Sequence, residues 1–354
     1  MLFNRTAARK RATPDRFGKA VLISPARIAR LQQALATNRQ PNRAAYDARA
    51  FQAPSTKAPT LINPWHVPNA YTDPTGHANA RTALQNDANR AYQYGLLYRM
   101  TGNEAYALEA VKHIQAWSTI TSFNKADDST LAWCVHFPAF IFGADLVRPS
   151  AHFTSEIRAA FETLIRSSRT QMSTAYTHTN NWGAWGILFE ASAAAYLKDR
   201  PMFDAVVARW KYFVRVALIG GVPFHEVRRQ GGGQGNGEGG LWYTHYALMP
   251  LTYAAEVMRV NGEYVFDYVS PRGESLKRLW DLASKWSAQP STFVYNTSGT
   301  PTAHNAVLMG HIEMLHNLWP NADSAALLAT HRPVDGRHSI LNATFTHGDL
   351  PLSG

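Results

Sequence analysis

Between Arg81 and Leu318, apolar residues return every three or four positions, segment after segment, and almost nowhere in strict alternation. Leu84, Ala88, Ala91, Tyr92, Gly95 and Leu96 share one helical face. Thr101-Gly102-Asn103 ends that segment, with Asn103 placed to cap the next. Leu108, Val111, Ile114 and Trp117 form the second stripe, and Phe153, Ile157, Phe161, Leu164 and Ile165 a later one. Further helices are predicted over Leu131 to Val147, Asn181 to Leu197, Met202 to Leu218, Leu241 to Val260, Leu276 to Trp286 and Ala303 to Leu318. An earlier one opens at Ser24-Pro25, a cap followed by Pro at the first helical position. Roughly ten helices on short connections pair as helical hairpins. No fixed-period repeat is present, so the expectation is an all-α toroid of paired helices, not a regular solenoid. No linker divides it. The domain reading is a basic arm over 1–20, one (α/α) toroid over 21–333 and a tail over 334–354.

Three stretches interrupt the helical pattern and gather reactive side chains. In residues 61–80, Pro64, Pro68, Pro74 and Gly76 argue against a helix, while Trp65, His66 and Tyr71 make either an aromatic wall of a cleft or a surface strap. His178 to Trp185 lies at a helix start. There Asn180 and Asn181 can cap the helix or leave amides free beside its positive end, and Trp182 and Trp185 share a face. Phe224 to Pro250 runs from an acid/base cluster, His225 to Arg229, through a Gly-rich run, Gly231 to Gly240, into an aromatic cluster with Trp242, Tyr243 and His245. So many glycines predict a mobile loop or lid, or a plain solvated connection. As a lid, it could bring cation, phenol and imidazole together on closing.

The formal charge of +10 and sequence pI near 9.7 favour a polyanionic partner. Arg5, Arg9, Lys10 and Arg11 cluster at the start, but no nucleic-acid-binding motif accompanies them, so nucleic acid is not expected. A single cysteine, Cys134, excludes an internal disulfide and sits in an apolar setting that suits a buried small hydrophobe. No apolar run is long enough for a membrane span. The first residues lack the apolar segment of a secretion signal. The ten tryptophans suit either a sugar-binding cleft or a large core.

Taken together, these clusters resemble the alginate lyase superfamily, which includes polysaccharide lyase families 5 and 38. The resemblance covers roughly residues 61–320. Asp87-Ala88-Asn89-Arg90-Ala91-Tyr92, Thr101-Gly102, Tyr106 and Trp117 are similar to that family's first hairpin. Asn180-Asn181 with Trp185 resembles its Asn-Asn-His motif and downstream Trp. Glu226 to Arg229, followed by Leu241-Trp242-Tyr243, resembles its Glu/Arg segment and catalytic tyrosine. The resemblance implies an incomplete (α/α) toroid or barrel and makes Tyr243 the catalytic tyrosine. It makes Asn181 the amide that binds the substrate carboxylate, and Arg229 the site arginine, with Arg228 close behind. Two departures stand out: Trp182 occupies the position of the family's active-site histidine, and the Gly-rich run is longer than the family pattern.

Such a site would cut a uronate polymer by β-elimination. A base removes the C5 proton, the C4 glycosidic oxygen leaves, and a double bond forms between them. Asn181, Asn180 and an arginine would neutralise the carboxylate so that charge can develop on it. Tyr243 could act as both base and acid where proton and leaving group share a face, as in mannuronate. An ordinary phenol titrates near about 10, so an adjacent guanidinium is needed to hold the phenolate. Opposite-face elimination would call on His245, His178, His225 or His136 as the second base. Polymannuronate is the first expected substrate and glucuronan the next. His178, Arg228, Trp182, Trp185, Trp242, Trp65, His66, Tyr71 and His136 are the expected substrate contacts. No cofactor or metal is expected. A polymer substrate places the work outside the cytoplasm, with delivery on a phage particle or by a removed leader. The competing readings are a toroidal glycoside hydrolase using Glu226 and Glu238, and a non-catalytic acidic-glycan binder.

Overall fold

A computed structural model describes residues 16–50, 56–231, 233–302 and 310–350. Among them, α1 (Pro25–Ala36) and the short α2 (Asn42–Ala45) precede the first long helical hairpin, α3 (Pro74–Thr101) and α4 (Glu104–Trp117). Then come α5 (Ser129–His136), α6 (Pro138–Leu146), α7 (Ser155–Met172), α8 (Asn181–Leu197) and α9 (Arg200–Ala217). After two small hairpins, β1–β2 (Leu218–Ile219, Val222–Pro223) and β3–β4 (Arg229–Gln230, Gly233–Gln234), the helices resume. They are α10 (Gly240–Val260), α11 (Leu276–Ala288), α12 (His311–Leu318) and α13 (Ala322–His331). A hairpin, β5–β6 (Gly336–Arg337, Ile340–Leu341), and α14 (Ala343–His347) close the described chain.

The helices sort into two kinds. Nearly every residue of α8 and α10 is buried, and α6 is buried along most of its length. In contrast α7, α9 and α11 bury one stripe and expose the other side. A helix that is apolar all round belongs inside, and one with a single stripe covers it. The architecture is therefore all-α, with α8 packed against α10 and with α9 laid over α8. Among the described residues no helix is long and apolar enough to cross a membrane. Cys134 is buried, and burial pushes its thiol up to about 12.

Several boundaries differ from the sequence reading. The prolines of residues 61–80 do not exclude a helix throughout, because Pro74 is the first residue of α3. The Asp73 carboxylate caps that turn by accepting from Gly76 N, and a proline lacks only an N–H that the first turn leaves unused. The helix expected over Leu131 to Val147 is two, parted at Phe137 and Pro138. Of the helix expected from Ala303, residues 303–309 lie outside the described residues, as do Arg5, Arg9, Lys10 and Arg11. The tail folds back: Val334, Ile340, Phe345 and Leu350 are buried, and α14 packs on α2 and α12. At the other end, Phe17, Val21, Leu22 and Ile23 join the main core.

Candidate active site

The site grows from the start of α8. Asn180 caps that helix, its Oδ1 accepting from Trp182 N at 3.2 Å. Asn181 follows at the first helical position and is buried. One carboxylate oxygen of Glu226 accepts both from Asn181 N at 2.6 Å and from Asn181 Nδ2 at 3.0 Å. Glu226 has no exposed surface. Burial raises its carboxyl pKa, opposed by the two Asn181 bonds and the nearby Arg229 cation. The loop before α8 can lie against that helix because position 183 is glycine: a Cβ there would stand 2.1 Å from the His178 carbonyl oxygen.

Three residues past Glu226, Arg229 sets its guanidinium 4.4 Å from the centroid of the Tyr243 ring. Its Nε is buried without a hydrogen-bond partner, and among the described residues no carboxylate forms a salt bridge with it. Tyr243 lies in the first turn of α10. That helix can start against the 226–229 segment because a Cβ on Gly240 would sit 2.0 Å from the Val227 carbonyl oxygen. Asn181, Glu226, Arg229 and Tyr243 are thus linked in one chain of contacts, with an unpaired cation beside the phenol ring.

The Gly-rich run is a folded turn, not a plain linker. It carries β3–β4, and Gly235 N and Gly239 N donate to the carbonyls of Arg228 and Arg229 at 2.7 and 3.0 Å. Thr297 N reaches the Asn236 carbonyl at 2.7 Å. Arg228 and His225 are exposed.

Tyr71 reaches the site from the other side. It is 66% exposed, and its phenol pKa is raised by partial burial and by the neighbouring Tyr243. Its segment is tied down at Ala70, whose N donates to Asp128 Oδ2 at 2.9 Å. On α10, Trp242 stacks on Tyr246 at 4.6 Å, and Tyr246 meets Trp185 at 5.3 Å. His178 stacks on Trp182 at 5.3 Å, and burial lowers the His178 pKa.

Other expected residues are engaged by neighbouring side chains. His245 is buried on the far side of α10, Nδ1 against His311 Nε2 at 2.9 Å and Nε2 against Ser287 Oγ at 2.7 Å. Two residues from Tyr243, it lies on another helical face and has no free nitrogen to act as a base. Trp65 is not a cleft wall but core: it has no exposed surface, packs on Trp117 and Trp133, and donates from Nε1 to the Ser129 carbonyl. His66 pairs with Asp127 at 3.1 Å. Glu238 is exposed while Glu226 is sealed against Asn181, so the two carboxyls of the hydrolase reading do not face one another across a cleft.

The sequence reading missed His338. It comes from the turn of β5–β6, at a left-handed φ of 63°, and packs against Trp185, Tyr246 and His136 at 5.5, 5.2 and 5.7 Å. Both its ring nitrogens are buried without a partner, as is Nδ1 of His136. Burial holds the His338 pKa down to about 3 and that of His136 well below its ordinary value, and the neighbouring His338 depresses His136 further. The only local signal was a His two residues after a lone turn glycine, Gly336-Arg337-His338.

Residues 32–293 match the sequence profile of the alginate lyase family. The chain belongs to that family. Among solved structures, this family member shares its fold with alginate lyase A1-III from Sphingomonas species A1, at a TM-score of 0.74 and 15% identity over 96% of this chain and all of the other, 100%. A tyrosine-to-phenylalanine variant of A1-III in complex with a tetrasaccharide aligns at 0.73 and 15%, over 95% and 96% of the two chains. An alginate lyase from Bacteroides ovatus aligns at 0.67 and 14%, over 94% and 99%. No curated protein sequence matches the chain.

Proposed function

We propose that this chain is a polysaccharide lyase that cleaves a uronate polymer by β-elimination. The observation that carries the reading is the unpaired Arg229 guanidinium against the Tyr243 ring, tied through Glu226 to a buried Asn181 amide. One amide N–H of Asn181 is engaged by Glu226, leaving the other for a ligand. A substrate carboxylate bridging that N–H and Arg229 would lose its charge to them, and negative charge could then build up on it as the C5 proton leaves. Tyr243, with the Arg229 guanidinium against its ring at the positive end of α10, acts as the base that takes that proton. The C5–H electron pair becomes the C4–C5 double bond, the C4–O bond breaks, and the same phenol returns the proton to the leaving oxygen.

Same-face removal suits mannuronate, so polymannuronate is the first substrate to try and glucuronan the next. His178 and Trp182 would stack on a neighbouring sugar. The two-layer packing fits an incomplete toroid of helical hairpins whose open side holds the cleft, and a polymer of this size implies work outside the cytoplasm. Incubation with polymannuronate, polyguluronate, glucuronan and hyaluronan decides the reaction class. A lyase releases an ultraviolet-absorbing unsaturated end. New reducing ends without that absorbance would mean hydrolysis, and no products from any of the four would sink the reading.

A further inference from the structure

A second feature lies outside the Asn181–Tyr243 site. Between the loop that precedes α8 and the outer face of α9 runs an open groove of 690 Å³, lined by Tyr176, Arg209, Lys211, Tyr212, Arg215 and Tyr268, with two small alanines. Tyr176 is 50% exposed and Tyr212 42% exposed. The Tyr212 ring sits between two guanidiniums, Arg209 at 5.0 Å and Arg215 at 5.2 Å from its centroid.

Arg209 is the fixed member. It is buried, and its Nη2 holds the His178 carbonyl at 2.6 Å while Nε holds that of Ala175. Burial lowers its pKa, so a desolvated cation is spent on fixing the short loop that presents Tyr176. Lys211 and Arg215 are the available members: no carboxylate lines the groove, and neither forms a salt bridge among the described residues. Large exposed rings interleaved with unpaired cations are poor choices for a merely solvated surface. They match a ligand with both apolar C–H faces and carboxylates. A pyranose ring stacks its C–H face on a phenol, and the carboxylate beside it meets a guanidinium.

We propose that this groove is a second binding site for an acidic polysaccharide, separate from the site of elimination. It retains the polymer on the enzyme between cuts. Only the choice of a uronate as the acidic sugar rests on the lyase reading. The loop that presents Tyr176 ends at Asn180, so the groove and the site of elimination are joined by one short loop.

The test compares the parent chain with a Tyr212→Ala, Arg215→Ala double variant. Binding is read by retardation in gels containing polymannuronate, in a Tyr243→Phe background so that the polymer persists. Turnover is read in the native background on polymannuronate and on a mannuronate tetrasaccharide. Polymer binding should weaken by about 10-fold, the loss of one charge-assisted contact and one stacking ring, with kcat/KM on the tetrasaccharide unchanged. The single Arg215→Glu, on the exposed face of α9, repeats the measurement without removing a ring and should weaken binding at least as much. Unchanged polymer binding in both variants overturns the proposal. So does an equal loss on polymer and tetrasaccharide, which would make the groove part of the elimination site. Equal weakening toward inorganic polyphosphate would reveal an unspecific polyanion patch and also overturn it. A parent chain that binds through the groove but yields no unsaturated product would sink the lyase reading and leave this site standing.

Discussion

A single oxygen of Glu226 accepts from both the backbone N–H and the side-chain amide of Asn181, at 2.6 and 3.0 Å. The pair fixes an amide rotamer at the bottom of the site, and the glutamate's burial means that water cannot replace it. Glu226→Ala should therefore misorient Asn181 and lower kcat on polymannuronate by about 100-fold, the scale of losing one aimed donor. Glu226→Gln keeps an acceptor oxygen in place and should retain most turnover. Steady-state kinetics on both variants, with circular dichroism to check the fold, separates positioning from collapse. Equal losses in the two would mean that the charge, and not the orientation, is what matters.

The two neighbouring arginines should behave very differently. Arg229 stacks on the Tyr243 ring and has no carboxylate partner, whereas Arg228 is exposed. Arg229→Ala should cost about 100-fold in kcat/KM, and Arg229→Lys nearly as much, because an ammonium cannot reproduce the planar stack. Arg228→Ala should stay within about 3-fold, as exposed charges generally do. Tyr243→Phe should abolish product formation while polymer retardation in gels is kept. Persistent turnover in Tyr243→Phe would move the base to another residue.

How far these roles could be read in advance depends on how local the signal is. The span of α8, Asn181–Leu197, follows from an Asn cap and a run of apolar residues, both local, and the expected and observed bounds agree. Tyr243 and Arg229 come from one 27-residue stretch, and the helix start that joins them is itself a sequence feature. The anchoring part of Glu226 was not legible, since a carboxylate next to two arginines reads equally well as a surface acid. Burial against Asn181 is a tertiary fact, 45 residues away. Trp65 was misplaced for the converse reason. An aromatic in a proline-rich loop looks exposed until the ring is seen to fill the gap between Trp117 and Trp133. His338 enters from a tail whose helical period is weak, and only the packing of β5–β6 carries it to Trp185 and Tyr246.

His245 offers a clean separation of stability from chemistry. Its imidazole bridges His311 and Ser287 across the interior, linking α10 to α11 and α12. His245→Ala leaves His311 and Ser287 short of a partner and opens a gap, which should cost about 2–4 kcal/mol of unfolding free energy. The folded fraction should nevertheless turn over polymannuronate with the parent pH profile. Denaturant titration reads the first quantity and rates at low temperature the second. A shifted pH profile with unchanged stability would restore His245 as a base.

The buried histidines also set how the fold responds to acid. Burial lowers His338 to about 3 and His245 to about 4, and holds His136, His311 and His347 well below their ordinary range. In the unfolded chain each takes up a proton near about 6.5. Below that pH the unfolded state binds more protons than the folded one, so stability must fall as pH falls, by up to about 1.4 kcal/mol per pH unit for each group. Three buried carboxyls act in the opposite sense. Burial raises Glu226, Glu190 and Asp145, so the folded chain protonates them first and gains from doing so. Their gain begins as pH falls through their raised folded values, above the about 4–5 at which carboxylates titrate in the unfolded chain, and three such groups offset only part of the loss from five imidazoles. The melting temperature should therefore be flat above pH 7 and decline steadily from pH 6.5 to 5, with net proton uptake on unfolding in calorimetry across buffers of different ionisation enthalpy. His245→Gln, which removes one of the five groups, should flatten that slope. A melting temperature that rises on going from pH 7 to 5 would show that the imidazoles are charged in the folded chain, and with it that the interior around α10 is wetter than this packing allows.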